Sequence, residues 1–362
     1  MKILILYIGI GSGHKVAAMN IKEELERQDK QATVQCRDII QEKYPIIYEA
    51  VNRLYLFMLN NIPLSWKFIR DSPGMEKTNK KMLLGLMNML DKVIIDEVEK
   101  FKPDAIVVTH AFYGGLISNY KEKHRRKTPL YAVATDFHLH GYWQNKNINK
   151  YFVLLEEEKD KLIKLGIKEN QVIVSGIPVK AIKMPTRKAS MTTILVCGGS
   201  QGTGKITEIA KNLKESDHIF KVNAVAGHNK RLYRKLGKIL IKESAALFGH
   251  TDKMKEIMAE TSIYIGNAGG LITNELLGFG IPMIFYKPIL GQEKSNAEYL
   301  EQKGVAMIAN SKKQLLEALD QLISNPEEMD EMRKRSRMMA RPDAATKIAE
   351  EILKTKWKKT KR

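Results

Sequence analysis

The chain has 362 residues, 44% hydrophobic and 28% charged, which is enough for two domains with separate cores and excludes a disordered polypeptide. Sixty basic against 41 acidic residues leave a net charge of +19, which favours anionic partners (phosphorylated ligands, nucleic acid or an anionic membrane surface) without choosing among them. Two cysteines, Cys36 and Cys197, exclude a disulfide framework and have no zinc-type spacing; Cys197 closes an apolar run and reads as a buried core thiol.

Met1-Lys2-Ile3-Leu4-Ile5-Leu6-Tyr7-Ile8 is an apolar run cut off by Gly9, Gly11 and Gly13. It lacks a cleavage region and is too short to span a bilayer, so it reads as a buried first strand. No other run approaches a spanning length, and the expected place is the cytoplasm, at most peripheral to a membrane. The turn Gly9-Ile10-Gly11-Ser12-Gly13-His14 follows, with its third glycine one residue early for the dinucleotide fingerprint G-x-G-x-x-G. It still brings backbone N–H groups and His14 to the top of a first domain. A histidine opening a helix there reads as functional; a capping or exposed one is the alternative.

Further strands are expected at Thr33–Cys36, Ala105–Thr109, Leu130–Thr135, Lys150–Leu154 and Val172–Ser175. Before the third strand, residues 44–90 carry Tyr48, Leu54, Phe57, Trp66 and Met82 among lysines and arginines. Such helices are most often core, and a lipid-facing surface is the alternative. Thr135-Asp136-Phe137-His138-Leu139-His140-Gly141-Tyr142-Trp143 ends the fourth strand. Asp136, His138, His140 and the isolated His110 are metal-ligand types, but no second cluster completes a site. An acid/base or acceptor-binding role is read instead, and no metal is expected.

The apolar pattern breaks at Ile182–Met191, around Pro185, and a second series begins: Thr193–Cys197, Lys221–Val225, Ala246–Gly249, Ile263–Ile265 and Pro282–Tyr286. Strands each followed by a helix imply parallel sheets covered on both faces, here in two doubly wound domains. Ligands in such folds bind at the carboxyl ends of strands, so two facing domains make an interdomain cleft.

Gly199-Ser200-Gln201-Gly202-Thr203-Gly204-Lys205-Ile206 has the frame of a P-loop, but Ile206 stands where a Mg²⁺-binding Ser or Thr is required. That argues against an NTPase and leaves an anion site. Gly266-Asn267-Ala268-Gly269-Gly270-Leu271-Ile272-Thr273-Asn274-Glu275 reads as a strand end and a glycine turn opening a helix, again suited to an anion. Glu275, with the pair Gln292 and Glu293, suits hydroxyl-rich ligands. A phosphate cradle beside hydroxyl-reading groups is what a nucleotide-sugar needs. Residues 354–362 form a basic tail around Trp357, either a frayed terminus or an electrostatic membrane contact. Aromatics are not interleaved with basic residues on recognisable nucleic-acid motifs, so no nucleic acid is expected.

The carriers of a family resemblance are Gly11-Ser12-Gly13-His14, Thr109-His110, Thr135-Asp136-Phe137 with His140 and Trp143, Gly176-Ile177-Pro178, Gly198-Gly199-Ser200 and the segment from Gly266 to Asn296. With them the chain, from Gly9 to about Asp343, resembles a glycosyltransferase of the monogalactosyldiacylglycerol-synthase type, a group that includes the bacterial processive diacylglycerol glucosyltransferases. Gly198-Gly199-Ser200-Gln201-Gly202 is also similar to the peptidoglycan N-acetylglucosaminyltransferase.

The resemblance implies an α/β, GT-B architecture of two Rossmann-like doubly wound domains facing across a cleft. Residues 1–183 would bind the acceptor lipid, 184–335 the UDP-sugar, and 336–362 would be a helix crossing back to the first domain plus the basic tail. It implies that Glu275 binds the ribose hydroxyls, Gln292 and Glu293 the sugar hydroxyls, and Gly199, Ser200, Gly269 and Gly270 the diphosphate, with Gln201 also in the donor site. Phe248 would border the uracil, and Thr273 and Asn296 would complete the donor set. Gly11, Ser12, Gly13, His110, His140 and Trp143 would face the acceptor, with His14 as general base and Asp136 as the competing choice. Asn267-Ala268 stands where relatives usually carry Lys-Pro, which leaves the diphosphate to backbone amides, a helix N-terminus and nearby Lys205 or Lys287.

The expected chemistry is inverting transfer of a hexose, glucose or galactose, from a UDP-hexose to diacylglycerol or a glycosyl-diacylglycerol. It would run without a cofactor, at an anionic membrane surface on the inner face of the cell membrane. The alternatives are a transferase for a polyprenyl-linked acceptor on the same fold, and a non-catalytic, membrane-associated nucleotide-sugar binder.

Overall fold

A computed structural model describes residues 1–10, 13–61, 91–139, 141–179, 191–240, 244–289 and 291–354, the side chains of 55–61 and 141 excepted. Gly11, Ser12, His140, the stretch 62–90, the break at 182–190 and the tail beyond Lys354 lie outside the described residues. The chain divides into two compact units, Met1–Ala181 with Arg341–Arg362, and Ile182–Ala340.

The first unit is a parallel sheet of β1 (Lys2–Leu6), β2 (Thr33–Arg37), β3 (Ala105–Val108), β4 (Leu130–Val133), β5 (Lys150–Val153) and β6 (Val172–Val174), in the order β2-β1-β3-β4-β5-β6. Ile3 to Leu6 and Ala105 to Val108 are buried without alternation, as continuous apolar runs covered on both faces must be. Helix Gly13–Gln28 covers one face with Ala18, Ile21 and Leu25, and helix Ala344–Leu353 joins it there with Ile348, Ala349 and Ile352. Helix Ala111–Lys123 and a helical run through 91–101 cover the other, with Leu116, Ile117, Ile94 and Val98. Strand order reverses between β1 and β3, and in a doubly wound sheet the ligand crevice opens outside the carboxyl ends at that reversal.

The second unit holds β7 (Thr193–Cys197), β8 (Lys221–Val225), β9 (Ala245–Phe248), β10 (Ile263–Gly266), β11 (Met283–Tyr286) and β12 (Ala306–Ala309), all parallel. The order β12-β11-β10-β7-β8-β9 is that of a Rossmann sheet, with its reversal between β7 and β10. Ile194, Val196, Ile263, Ile265 and Ile284 pack with Ile206, Leu232, Leu236, Leu315 and Leu319 from the covering helices.

The expected strands all appear, with β1 stopping at Leu6 so that Tyr7 and Ile8 lead into the glycine turn. β12 is an addition: Ala and Met have weak strand preference, and its pairing with β11 (Met283 opposite Ala306) rather than its composition makes it a strand. Cys197 is buried as expected, and burial pushes its thiol up to about 11. The part of the Met- and aromatic-rich stretch that is described is helix Pro45–Asn61; it buries Tyr48 but exposes Ile46, Ile47, Val51 and Leu54, so it is not core throughout.

Candidate active site

In the first unit the crevice is lined by the segments that follow β1, β3 and β4. His14 opens helix Gly13–Gln28, and its Nδ1 lies 2.6 Å from the carbonyl oxygen of Thr109 and 2.9 Å from Thr135 Oγ1. A carbonyl only accepts, so Nδ1 carries the proton and Nε2 keeps the lone pair. Thr109 returns the contact, its Oγ1 donating to the carbonyl of His14 at 3.0 Å. His110 caps helix Ala111–Lys123, its Nδ1 accepting from the N–H of Phe112 at 3.1 Å, and its ring stands edge-on to His14 with centroids 4.7 Å apart. Asp136 is half-buried one residue beyond Thr135 and makes no hydrogen bond or ion pair with a described residue.

The loop that carries Asp136 is held from behind by Glu158, a buried carboxylate on helix Glu156–Lys164. Glu158 meets His138 Nδ1 at 3.0 Å, accepts from the N–H of Leu139 at 2.9 Å, and pairs with Lys161. Burial opposes its ionisation, but these partners outweigh burial and hold it below the usual carboxylate range. His138 is thus turned to Glu158. Trp143 is 2% exposed and packs in the core with Tyr151 and Ile148, so its ring fills the interior instead of presenting an acceptor surface.

In the second unit the glycine turns after β7 and β10 flank the reversal point. Gly199 adopts φ +70°, and the carbonyl of Ser200 accepts from the N–H of His228 at 2.8 Å, tying the loop to the end of β8. Gly269 precedes helix Gly270–Phe279 with no side chain capping it, which leaves the N-terminus to an anion. Thr273 spends its hydroxyl on the carbonyls of Gly269 (2.6 Å) and Gly270 (3.0 Å) and is fully buried, so it shapes this turn from beneath. Phe248 ends β9, and beyond it His250 stacks on His228 with centroids 3.9 Å apart.

Glu275, Gln292, Glu293 and Asn296 come from helices Gly270–Phe279 and Gln292–Gln302, which follow β10 and β11. Burial pushes the carboxyl of Glu275 up to about 7, against the pull of Lys255. Burial also pushes Glu293 up to about 7, against hydrogen bonds from Ile289 N–H and the Asn267 side chain. Asn296 donates to the carbonyl of Ala268 at 2.9 Å. Among the described residues, the buried atoms Gln292 Nε2, Glu293 Oε2 and Asn296 Oδ1 have no hydrogen-bond partner. Three such atoms on one helix turn offer hydrogen-bond partners to a polar ligand, since buried polar groups are otherwise paired.

Asn267 proves more than a replacement. Its Nδ2 donates to Thr203 Oγ1 at 3.1 Å and its amide faces Glu293, so it stands between the loop after β7 and helix Gln292–Gln302. Lys287 is committed to Glu208 at 2.6 Å, whereas the exposed Lys205 makes no ion pair with a described residue. Gly204 has φ +84°, and a Cβ there would meet Asn267 Oδ1 at 2.1 Å. Gly204→Ala is expected to cost about 1–3 kcal/mol in backbone strain alone. It should also displace Asn267, and thermal unfolding measures the combined loss of stability. Among the described residues no three His, Cys, Asp or Glu side chains converge as a metal site, and no helix is long and apolar enough to cross a membrane.

Sequence reasoning did not find Thr109 and Thr135 as partners of His14, nor Asn267 as a link, nor Glu158. The threonines stand at strand ends beside quoted motif residues, but their pairing with His14 spans 95 and 121 positions.

Residues 14–179 match the family model for monogalactosyldiacylglycerol (MGDG) synthase, and residues 193–351 that for the glycosyltransferase family 28 C-terminal domain. A processive diacylglycerol beta-glucosyltransferase of Bacillus subtilis (strain 168) is 28% identical over 369 residues, covering 98% of this chain and 95% of the relative. The fold is shared with MurG of Acinetobacter baumannii, at a TM-score of 0.66 and 14% identity over 98% of this chain and 99% of that one. It is also shared with a UDP-GlcNAc 2-epimerase from Neisseria meningitidis bound to UDP-GlcNAc, at a TM-score of 0.63 and 17% identity over 98% and 100%. Two Rossmann-like sheets, two consecutive domain matches and full-length relatives agree: the chain belongs to the glycosyltransferases of the monogalactosyldiacylglycerol-synthase type and has the GT-B fold.

Proposed function

We propose that the chain transfers a hexose, by preference glucose, from a UDP-hexose to the hydroxyl of diacylglycerol or a glycosyl-diacylglycerol with inversion at the anomeric carbon. The observation that carries this reading is the set of buried, unpaired polar atoms of Gln292, Glu293 and Asn296 beside the uncapped helix at Gly269-Gly270. Hydroxyl readers next to an anion cradle match a sugar diphosphate. Glu275 takes the ribose, Gln292 and Glu293 the hexose, and the turns at Gly199-Ser200-Gln201 and Gly269-Gly270 the diphosphate, with Phe248 at the base.

On the acceptor side, Nε2 of His14 takes the hydroxyl proton as the oxygen attacks the anomeric carbon. The bond from that carbon to the diphosphate breaks and UDP leaves with the electron pair. Preorganised N–H groups, the helix dipole and Lys205 meet the charge that develops on the leaving group. Asp136 and His110 lie beside the base and receive the acceptor. The UDP-sugar is a substrate, and no cofactor enters the reaction.

Ile46, Ile47, Val51 and Leu54, exposed on helix Pro45–Asn61, and the net charge of +19 support a peripheral seat at the anionic inner face of the cell membrane. Incubation with labelled UDP-glucose and diacylglycerol vesicles is expected to give a labelled glycolipid. Transfer to a polyprenyl-linked acceptor alone would redirect the assignment, and UDP binding without transfer from any UDP-hexose to any lipid would overturn it.

A further inference from the structure

Asp38 takes no part in the chemistry above, yet the residue is only 2% exposed. It follows β2, beside the end of β1. Its Oδ2 accepts from the N–H of Gly9 at 2.7 Å, its Oδ1 from the N–H of Gln41 at 3.1 Å, and the hydroxyl of Tyr48 faces the same carboxylate and favours its ionised form. Tyr48, on helix Pro45–Asn61, lies directly over Gly9: a Cβ at Gly9 would meet its hydroxyl oxygen at 2.8 Å and Asp38 Oδ2 at 3.4 Å. The bond to Gln41 caps helix Ile39–Lys43, but an asparagine or serine would cap as well without burying a charge. Burial in fact raises the carboxyl of Asp38 above its ordinary range, against the hydrogen bonds that favour its ionised form. Capping alone therefore does not account for a carboxylate here. What the charge adds is a strong acceptor for Gly9 and Tyr48.

A working base must be held within about 0.5 Å and 10–20° of its productive place, and His14 stands five residues beyond Gly9. The far end of the turn is fixed by the two-way contact between His14 and Thr109. The near end is fixed by Asp38 and Tyr48. We propose that Asp38 and Tyr48 are positioning residues for His14, locking the start of the glycine turn so that Nε2 is aimed at the acceptor hydroxyl. This rests on the reading of His14 as the base.

The test uses the full chain with UDP-glucose and diacylglycerol vesicles, and compares Asp38→Asn and Tyr48→Phe with the unaltered protein. Asp38→Asn is expected to lower kcat by about 10–100-fold, the scale of a small misplacement of a catalytic group. UDP affinity should stay within about twofold, and the ¹⁵N imidazole signals of His14 should move from the Nδ1–H form toward a mixture of tautomers. Tyr48→Phe should shift the same readouts in the same direction by less. A kcat within twofold of the unaltered protein, with the His14 signals unmoved, would overturn the proposal. So would loss of UDP binding in step with kcat in both variants, which marks a general folding lesion. If Asp38→Asn does not fold, Tyr48→Phe decides by the same readouts. His14→Ala separates the two levels: full activity there removes the base assignment itself, whereas an inactive His14→Ala beside a fully active Asp38→Asn removes only the clamp.

Discussion

Replacing His14 with alanine is expected to lower kcat for lipid glycosylation by about 10²–10⁴-fold and to leave UDP affinity unchanged, the loss expected for a general base. The reason is the direction of its ring. With Nδ1–H given to the Thr109 carbonyl and Thr135 Oγ1 alongside, the imidazole is fixed in one tautomer and only Nε2 can accept a proton. UDP affinity should stay unaffected because the groups proposed to hold the donor belong to the other unit. Asp136 is the comparison: half-buried and without a hydrogen bond to a described residue, it lies on the same crevice with nothing orienting its carboxylate. Asp136→Asn is expected to raise KM for the acceptor more than it lowers kcat. Single-turnover rates with both variants decide the matter: a collapse in Asp136→Asn with His14→Ala near normal would reverse the two roles.

Why one half of this arrangement was visible in the sequence and the other not has a physical basis. Strands buried on both faces are continuous apolar runs, so Ile3 to Leu6 or Ile263 to Ile265 announce themselves, and glycine turns at their ends mark where a backbone must come close to a ligand. β12 escaped because only Ile308 among its four residues has a strong strand preference, and pairing with β11 supplies the rest. His14 was conspicuous for opening a helix directly after a strand. Its orienting partners were not, since a carbonyl has no sequence signature and Thr135 reaches it only through the order β1-β3-β4. The same holds for Asn267. As a residue type it reads as a lost positive charge; in place, it stands between Thr203 and Glu293, and so between the loop after β7 and helix Gln292–Gln302. Trp143 misled in the opposite sense, because an aromatic after a histidine-rich strand end can as well be the plug of the core beneath.

Glu275→Gln is expected to make the protein more stable at pH 8 and a worse donor binder at once. A carboxyl raised from 4.5 to about 7 by burial is harder to ionise in the folded protein than in the unfolded chain. Folding therefore carries a penalty that grows as pH rises from about 4.5 to 7 and is complete above 7. Glutamine removes it. The gain, discounted for the group's partial exposure, is about 1–3 kcal/mol at pH 8 and close to nothing at pH 4.5, which calorimetry at the two values measures. The same charge that strains the fold is a strong acceptor for a sugar hydroxyl, and a hydrogen bond to a charged group contributes about 1.5–3 kcal/mol, or roughly 10–100-fold in affinity. Donor affinity in the unaltered protein should accordingly rise with pH through about 7 as Glu275 and Glu293 ionise. The two carboxylates should separate by ligand: Glu275→Gln is expected to weaken both UDP and UDP-glucose, and Glu293→Gln to weaken UDP-glucose and spare UDP. Unchanged stability at pH 8 together with unchanged UDP affinity in Glu275→Gln would remove Glu275 from the donor site.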